Sequence, residues 1–243
     1  MKLALFGCGG TGRLVRDRAR DEGHEIALIL TSRDAARSVE ELAGELRGLD
    51  AAIDFSVADA VPVHTEICMR ANVPLVVGTT GWRAQEPQVR RIVEAHDGAL
   101  IYGANFSVGV NIFYRIIDRA AELFRHLDDY APFIEEAHHA RKRDAPSGTA
   151  LRLRHIMAAH IARETPIAST RAGHIPGTHR VGFDSPADQI TLTHTARNRE
   201  GFAAGALAAA RWIIGRKGFY EFSEVFDQIL NLNRGGAEAQ RGS

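Results

Sequence analysis

Lys2-Leu3-Ala4-Leu5-Phe6-Gly7-Cys8-Gly9-Gly10-Thr11-Gly12 is the stretch that decides the fold. Its first five residues read as a strand, and a helical pattern follows the glycines to about Glu22. Gly7-x-Gly9-x-x-Gly12 therefore lies between a strand and a helix, the context a dinucleotide-binding turn requires. The first glycine turns the chain, the second lets a pyrophosphate approach, and the third lets helix pack on strand. The spacing alone is a weak signal, and an ordinary tight turn is the competing reading. In this position Gly7, Cys8, Gly9, Gly10, Thr11 and Gly12 are read as the phosphate end of a nucleotide site.

Further strands follow at Glu25 to Leu30, Ala51 to Phe55, Pro74 to Val77 and Ala99 to Tyr102, with helical patterns between them. Such alternation predicts a parallel sheet with helices on both faces. Ligands of open α/β sheets bind outside the carboxyl ends of the strands. The loops Gly78-Thr79-Thr80 and Gly103-Ala104-Asn105-Phe106 lie at that edge and are read as cofactor-contacting. Each, taken singly, also reads as an ordinary strand-to-helix turn.

The second strand ends in Leu30-Thr31-Ser32-Arg33-Asp34. An NAD-specific site places an acid there for the ribose hydroxyls. Here hydroxyls and a cation stand first, which suits a 2′-phosphate. Ser32 and Arg33 are therefore read as cofactor-binding, with NADPH preferred and NADH the alternative.

The pattern changes near Asn105. A long amphipathic helix spans about Val110 to Arg125, and Phe133 to Ala137 reads as a strand. A helix from about Thr149 to Arg163 comes next, then strands at His179 to Phe183 and Gln189 to Thr195. This middle region predicts an open mixed or antiparallel sheet with two helices. Phe202 to Ile214 reads as an Ala-rich helix, and Phe219 to Leu232 as a final helical segment. The fold class expected is thus α/β: a Rossmann-type parallel sheet domain plus an α+β substrate domain. The division expected is residues 1–106 and 200–243 for the nucleotide, and 107–199 for substrate binding and oligomerisation.

The densest chemistry lies in Glu136-Ala137-His138-His139-Ala140-Arg141-Lys142-Arg143-Asp144-Ala145-Pro146-Ser147-Gly148-Thr149. No Val, Ile, Leu or Phe occurs in it, so packing does not account for the run. Histidine titrates near neutrality and suits proton transfer. Lys142 can hold negative charge as a substrate is reduced. Ser147 reads as a helix N-cap, which turns the amides of Gly148 and Thr149 outward as a carboxylate site. A charged surface loop with incidental histidines is the bland alternative.

Composition excludes several classes. The 243 residues carry zero formal net charge, so nothing points to a nucleic-acid or anionic-membrane partner. Cys8 and Cys68 have no metal-ligand spacing, and no His-Glu-x-x-His motif or Cys/His cluster organises the histidines, so no metal is expected. Neither a signal peptide nor an apolar run long enough to span a bilayer is recognisable, so a cytoplasmic location is the expectation. Asn233 to Ser243 has no apolar residue larger than Ala and is expected to be disordered.

Taken together, these motifs resemble the 4-hydroxy-tetrahydrodipicolinate reductase (dihydrodipicolinate reductase) family of lysine and diaminopimelate synthesis. The resemblance rests on the glycine loop, Asp54-Phe55-Ser56, Gly78-Thr79-Thr80-Gly81, Asn105 to Asn111, and the Glu136 to Thr149 run. It continues through Arg171-x-Gly173, Gly177-x-His179, His194-x-Ala196-x-x-Arg199 and Phe202-Ala203-x-Gly205-Ala206. It implies NAD(P)H-dependent reduction of a cyclic dicarboxylate, with His138 as proton donor and Lys142 as its partner. It further implies that His139, Lys142, Ser147, Gly148 and Thr149 hold the substrate. The C-terminal helices would return to the nucleotide domain, and substrate-domain sheets would join in a homotetramer. Three features depart from the family: a glycine loop one residue shorter, Thr-Ser-Arg in place of the common acid, and Thr195 where Lys is frequent. A related nicotinamide-dependent reductase and a nucleotide sensor without turnover are the rival readings.

Overall fold

The computed structural model describes residues 1–241, with side chains through Asn231. Asn233 to Arg241 continue the final helix, Phe222–Arg241, where a disordered tail was expected, and residues 242–243 lie outside the described residues. The chain divides into two compact units, Met1–Val108 with Arg199–Ser243, and Gly109–Asn198.

In the first unit β1 (Lys2–Phe6), β2 (Glu25–Leu30), β3 (Ala51–Asp54), β4 (Leu75–Val77), β5 (Ala99–Tyr102) and β10 (Gly218–Glu221) form one sheet. The order is β10-β5-β4-β3-β1-β2 and every pairing is parallel. Successive side chains on a strand face opposite ways. Leu3 and Leu5 accordingly enter one core with Val15 of α1 (Gly10–Asp21), Leu207 of α7 (Glu200–Ile213) and Phe226 of α8 (Phe222–Arg241). Ala4 and Phe6 enter a second core with α2 (Val39–Leu46), α3 (Val61–Ala71) and α4 (Glu86–Ala95). Apolar burial on both faces is what a parallel sheet needs.

The C-terminal segment thus belongs to this unit. α7 comes so close to the loop after β5 that a Cβ on Gly205 would stand 1.8 Å from the Phe106 carbonyl oxygen. One expectation is corrected here. Phe219 does not open a helix; Gly218–Glu221 is an edge strand on β5, and helix starts at Phe222. Its aromatics pack on the second core through Tyr102 and on Trp212, which favours extended chain.

The second unit holds a four-stranded sheet ordered β7-β6-β8-β9, built from β6 (Ala131–His138), β7 (Ile167–Arg171), β8 (Gly177–Asp184) and β9 (Gln189–Ala196). β6 pairs in parallel with β7 and antiparallel with β8, and β8 antiparallel with β9, so the sheet is mixed. α5 (Val108–Phe124) and α6 (Gly148–Ala158) cover one face through Phe113, Ile117, Leu153 and Met157 against Ile134, Val181 and Phe183. α6 ends five residues before the expected Arg163. Ile161 turns back into this core, and the Arg163 guanidinium donates to the carbonyl of Asp128 at 2.8 Å. β7 was not expected from the sequence. Among the described residues no helix is long and apolar enough to cross a membrane.

Candidate active site

The glycine loop of the first unit is built for an anion. Gly7 has φ +87°, and a Cβ there would stand 2.7 Å from the Phe55 carbonyl oxygen. On Gly12 a Cβ would lie 2.4 Å from the Gly7 carbonyl oxygen, so a side chain would part helix from strand. α1 starts after Gly9 with no side-chain cap and no acid in its first turn. Its first amides have no partner within the helix and lie at the positive end of the helix dipole. Around Gly9 there is open space, and Arg199 places a guanidinium nitrogen 3.9 Å from where a Cβ of Gly10 would be. Sequence reading did not single out Arg199 for this loop.

A cavity of about 630 Å³ adjoins the loop. Gly7, Cys8, Gly9, Thr31, Ser32, Arg37, Phe55, Ser56 and His64 are among its walls. Ser32 is thus part of the cavity wall. Arg33 is exposed and is not among the lining residues described; the cation in the wall is Arg37. Asp34 is occupied locally, since its carboxylate accepts the Thr31 N–H at 2.9 Å and caps the short turn Ser32–Asp34. Arg37 donates to Glu41 at 2.7 Å and also to Glu45, both half exposed.

Behind the loop, the fully buried Asp54 organises three elements. Its carboxylate accepts from the Ser56 N–H at 2.8 Å and from the Thr79 hydroxyl at 2.7 Å, and meets His64 Nδ1 at 2.8 Å. His64 in turn stacks on Phe6 at 4.2 Å. Thr79 is therefore a buried brace, while Thr80 is exposed and Gly78 half-buried. In the other loop Ala104 is exposed and Asn105 half-buried, with Asn105 Oδ1 accepting from the Ser107 N–H at 2.9 Å. Phe106 is 1% exposed and packs on Phe222 at 4.5 Å. A cofactor could reach Phe106 through its main chain alone.

In the second unit β6 alternates strictly: Pro132, Ile134, Glu136 and His138 are buried and the residues between them are not. Glu136 and His138 thus share the helix-covered face, and His139 begins the loop. Glu136 is the centre of the site. Its Oε1 accepts from the Ser147 N–H at 3.0 Å, the Ser169 hydroxyl at 2.7 Å and the Arg171 guanidinium at 2.7 Å. Burial alone would raise its pKa, but these donors outweigh it and hold the carboxyl down to about 2. Oε2 lies 3.3 Å from His138 Nδ1 and 3.6 Å from His179 Nε2.

Burial keeps His138 below its ordinary pKa, helped by Lys142 and Arg171 and opposed by Glu136. His179 is pushed down to about 4, by burial first and then by His138. Lys142 reaches back to Asp144 at 2.9 Å, and both are partly exposed. Arg171 also donates to the Asp144 carbonyl at 2.6 Å and so staples the loop to the sheet.

Ser147 caps α6 as the sequence predicts, its hydroxyl accepting from the Ala150 N–H at 3.2 Å and lying 3.1 Å from His179 Nε2. Both its hydrogen-bonding groups are thereby committed within the protein. The first-turn amides of Gly148 and Thr149 have no partner within the helix. Nothing lies within 4 Å of a Cβ placed on Gly148, so an anion can approach.

Glu136, His138 and His179 each bring one potential metal-ligating atom within 4.8 Å of the others. Arg171 and Lys142 put two positive charges beside that cluster, which disfavours a cation. Glu136, Ser169 and His179 were absent from the site residues read from sequence. The signal available was the period of two from His138 back to Glu136.

Known proteins match this arrangement along nearly the whole chain. The family model for the dihydrodipicolinate reductase N-terminus matches residues 1–106, and that for the C-terminus matches residues 109–226. The chain belongs to the dihydrodipicolinate reductase family. A relative named 4-hydroxy-tetrahydrodipicolinate reductase, from Christiangramia forsetii, is 34% identical, over 95% of this chain and 99% of that one. Another of the same name, from Acinetobacter baylyi, is 31% identical over 89% and 92%. The solved dipicolinate-bound dihydrodipicolinate reductase from Paenisporosarcina sp. TG-14 shares the fold, with a TM-score of 0.78 at 23% identity over 93% and 99%. The chain is therefore an oxidoreductase, and its first unit is a nucleotide-binding domain of the Rossmann type suited to NAD(P)H.

Proposed function

We propose that this dihydrodipicolinate reductase family member reduces 4-hydroxy-tetrahydrodipicolinate to tetrahydrodipicolinate in lysine and diaminopimelate biosynthesis. Bound NAD(P)H supplies the hydride. The rest is done by this chain's own residues. The amides of Gly148 and Thr149, with Lys142 and His139, hold the substrate carboxylates. Lys142 also offsets the negative charge that develops on the ring. His138 donates the proton that completes the addition.

One observation carries the reading: a single buried carboxylate, Glu136, touches the imidazole of His138 and the turn that presents the Gly148 and Thr149 amides. A nucleotide sensor has no use for a buried proton donor beside an anion cradle. A reductase of a carboxylated imine needs both.

On the cofactor side, Gly7 to Gly12 would hold the pyrophosphate, and the main chains of Gly78 to Thr80 and Gly103 to Phe106 would border the nicotinamide. A preference for NADPH is supported by Ser32 and Arg37 in the cavity wall, with Arg33 on the same turn. Arg37 also lies 3.5 Å from Asp34, and its Glu41 and Glu45 partners are exposed, weakly held and can give way to a phosphate. A cytoplasmic homotetramer is proposed, and association of copies is supported by the sheet face opposite α5 and α6, which presents Phe133, Arg180, Thr191, Thr193 and Thr195 uncovered by this unit's own helices.

The test is a coupled assay with dihydrodipicolinate synthase, pyruvate and aspartate semialdehyde, following NADPH and NADH separately. Oxidation that depends on the synthase supports the proposal. Absence of oxidation in protein that still binds nucleotide refutes it.

A further inference from the structure

One polar row crosses the sheet of the second unit. Ser169 on β7 is in register with Glu136 on β6, Glu136 with His179 on β8, and His179 with His194 on β9. Two residues away on one side the row is apolar, with Ile167, Ile134, Val181 and Leu192 in register; on the other side stand Arg171 and His138. A buried anion and a buried imidazole in such a place, Glu136 and His179, are costly unless paired. The two oxygens of Glu136 are used unequally. Oε1 takes three donors, whereas Oε2 takes none among the described residues and instead faces His138 and His179.

His138 is oriented to match. Its Nδ1 is buried and without a hydrogen bond among the described residues, 3.3 Å from that oxygen. Its Nε2 edge lies over Gly177, where a Cβ would stand only 3.2 Å away. A small residue at 177 is what leaves that edge of the ring uncovered.

We propose that Glu136 is the positioning residue of the proton donor, fixing the Nδ1–H of His138 on its Oε2 so that Nε2 is the atom that delivers the proton. With its other oxygen Glu136 holds the Ser147 turn, and so sets donor and carboxylate cradle in one frame. The step balances simply. Once hydride has reduced the conjugated imine, the enamine π pair of the substrate forms a C–H bond with the proton on Nε2. The N–H bond breaks, His138 becomes neutral with Nδ1–H still on Glu136, and solvent restores the proton.

This inference rests on His138 being the donor, and its test separates the two. The groups facing His138 are Glu136 on the same strand, His179 from β8, Arg171 from β7, and Lys142 and Asp144 from the loop. Of these, Glu136 is the buried anion. Glu136→Gln should therefore move the fall of kcat/KM with rising pH to lower pH by about one unit, a tenfold loss above the break. Glu136→Asp should recover part of the shift. A structural role would instead lower activity equally at all pH, and that result overturns the proposal. Because Glu136→Gln also leaves Arg171 without its anion, the second measurement uses the unaltered protein. Nitrogen NMR of ¹⁵N-histidine-labelled enzyme should show neutral His138 as the Nδ1–H tautomer, and an Nε2–H tautomer overturns the proposal. An Nδ1–H tautomer together with unchanged turnover in His138→Gln would uphold the positioning and refute the donor role instead.

Discussion

Nδ1 of His138 and Oε2 of Glu136 lie 3.3 Å apart, both buried, and neither is hydrogen-bonded to another group among the described residues. The charge of the pair is set inside the protein. Binding of a dianionic substrate beside it changes that charge balance, and this has a kinetic consequence. Burial holds His138 below its ordinary pKa in the free enzyme, whereas substrate carboxylates favour the imidazolium. The descending limb of kcat, which reports the bound complex, should lie at higher pH than that of kcat/KM. Parallel limbs at one pH would show that the titrating acid does not face the substrate.

Stability should fall on acidification in two stages. His179 has its folded pKa lowered to about 4 from 6.5, so the unfolded chain takes up a proton that the folded one refuses. That loss starts as pH drops below 6.5 and is complete near 4, amounting to at most about 3 kcal/mol. Glu136, lowered from 4.5 to about 2, adds a second loss that starts below 4.5 and ends near 2. Thermal melts across this range should show Tm falling from pH 6.5 downward, and His179→Gln should flatten the upper stage. A Tm that does not change between pH 6.5 and 4 would contradict the buried, neutral assignment.

Lys142 contacts a half-exposed Asp144 in this structure, a pairing worth little in water. Its ammonium can therefore turn to a substrate carboxylate. Lys142→Ala should lower kcat/KM about ten- to hundredfold, the cost of one charge-assisted hydrogen bond, with KM rising as kcat falls. Normal steady-state kinetics in that variant would remove Lys142 from the site.

Ser147→Ala separates scaffold from ligand. The hydroxyl caps α6 and meets His179, while the main-chain N–H on Glu136 is retained in the variant. Loss of the cap should cost about 1 kcal/mol and lower Tm by about 2–4 °C, with KM for substrate little changed. A tenfold rise in KM at unchanged Tm would place the hydroxyl on the substrate.

The proposed preference for NADPH rests on Arg37, which lines the cavity wall, more than on Arg33, which does not. Arg37→Ala should reduce kcat/KM for NADPH by about tenfold or more while NADH changes little. Arg33→Ala is the control, and a larger effect there would move the 2′-phosphate outward to the exposed turn.

Much of this was legible in the sequence because it is local. β1, the glycine hexad and the start of α1 are contiguous, and apolar period and spacing are enough to read them. The Ser147 cap is likewise local. The hub at Glu136 is not, since it needs β7 and β8 to arrive in register 33 and 43 residues along the chain. β7 itself hides because Ile167-Ala168-Ser169-Thr170-Arg171 is an edge strand with one large apolar residue. β10 hides because four residues run directly into a helix and pair only with β5, far back in the chain. That Arg37 and not Arg33 lines the cavity is also not legible, because the turn after β2 leaves Arg33 exposed, which residue order does not reveal.

The central claim is that His138 is the proton donor of a reductase. The most direct measurement is turnover of His138→Gln beside the unaltered protein in the synthase-coupled assay, with nucleotide affinity determined on both. A fall of about two to four decades in kcat with unchanged nucleotide affinity is the expected result. Undiminished turnover would contradict the account.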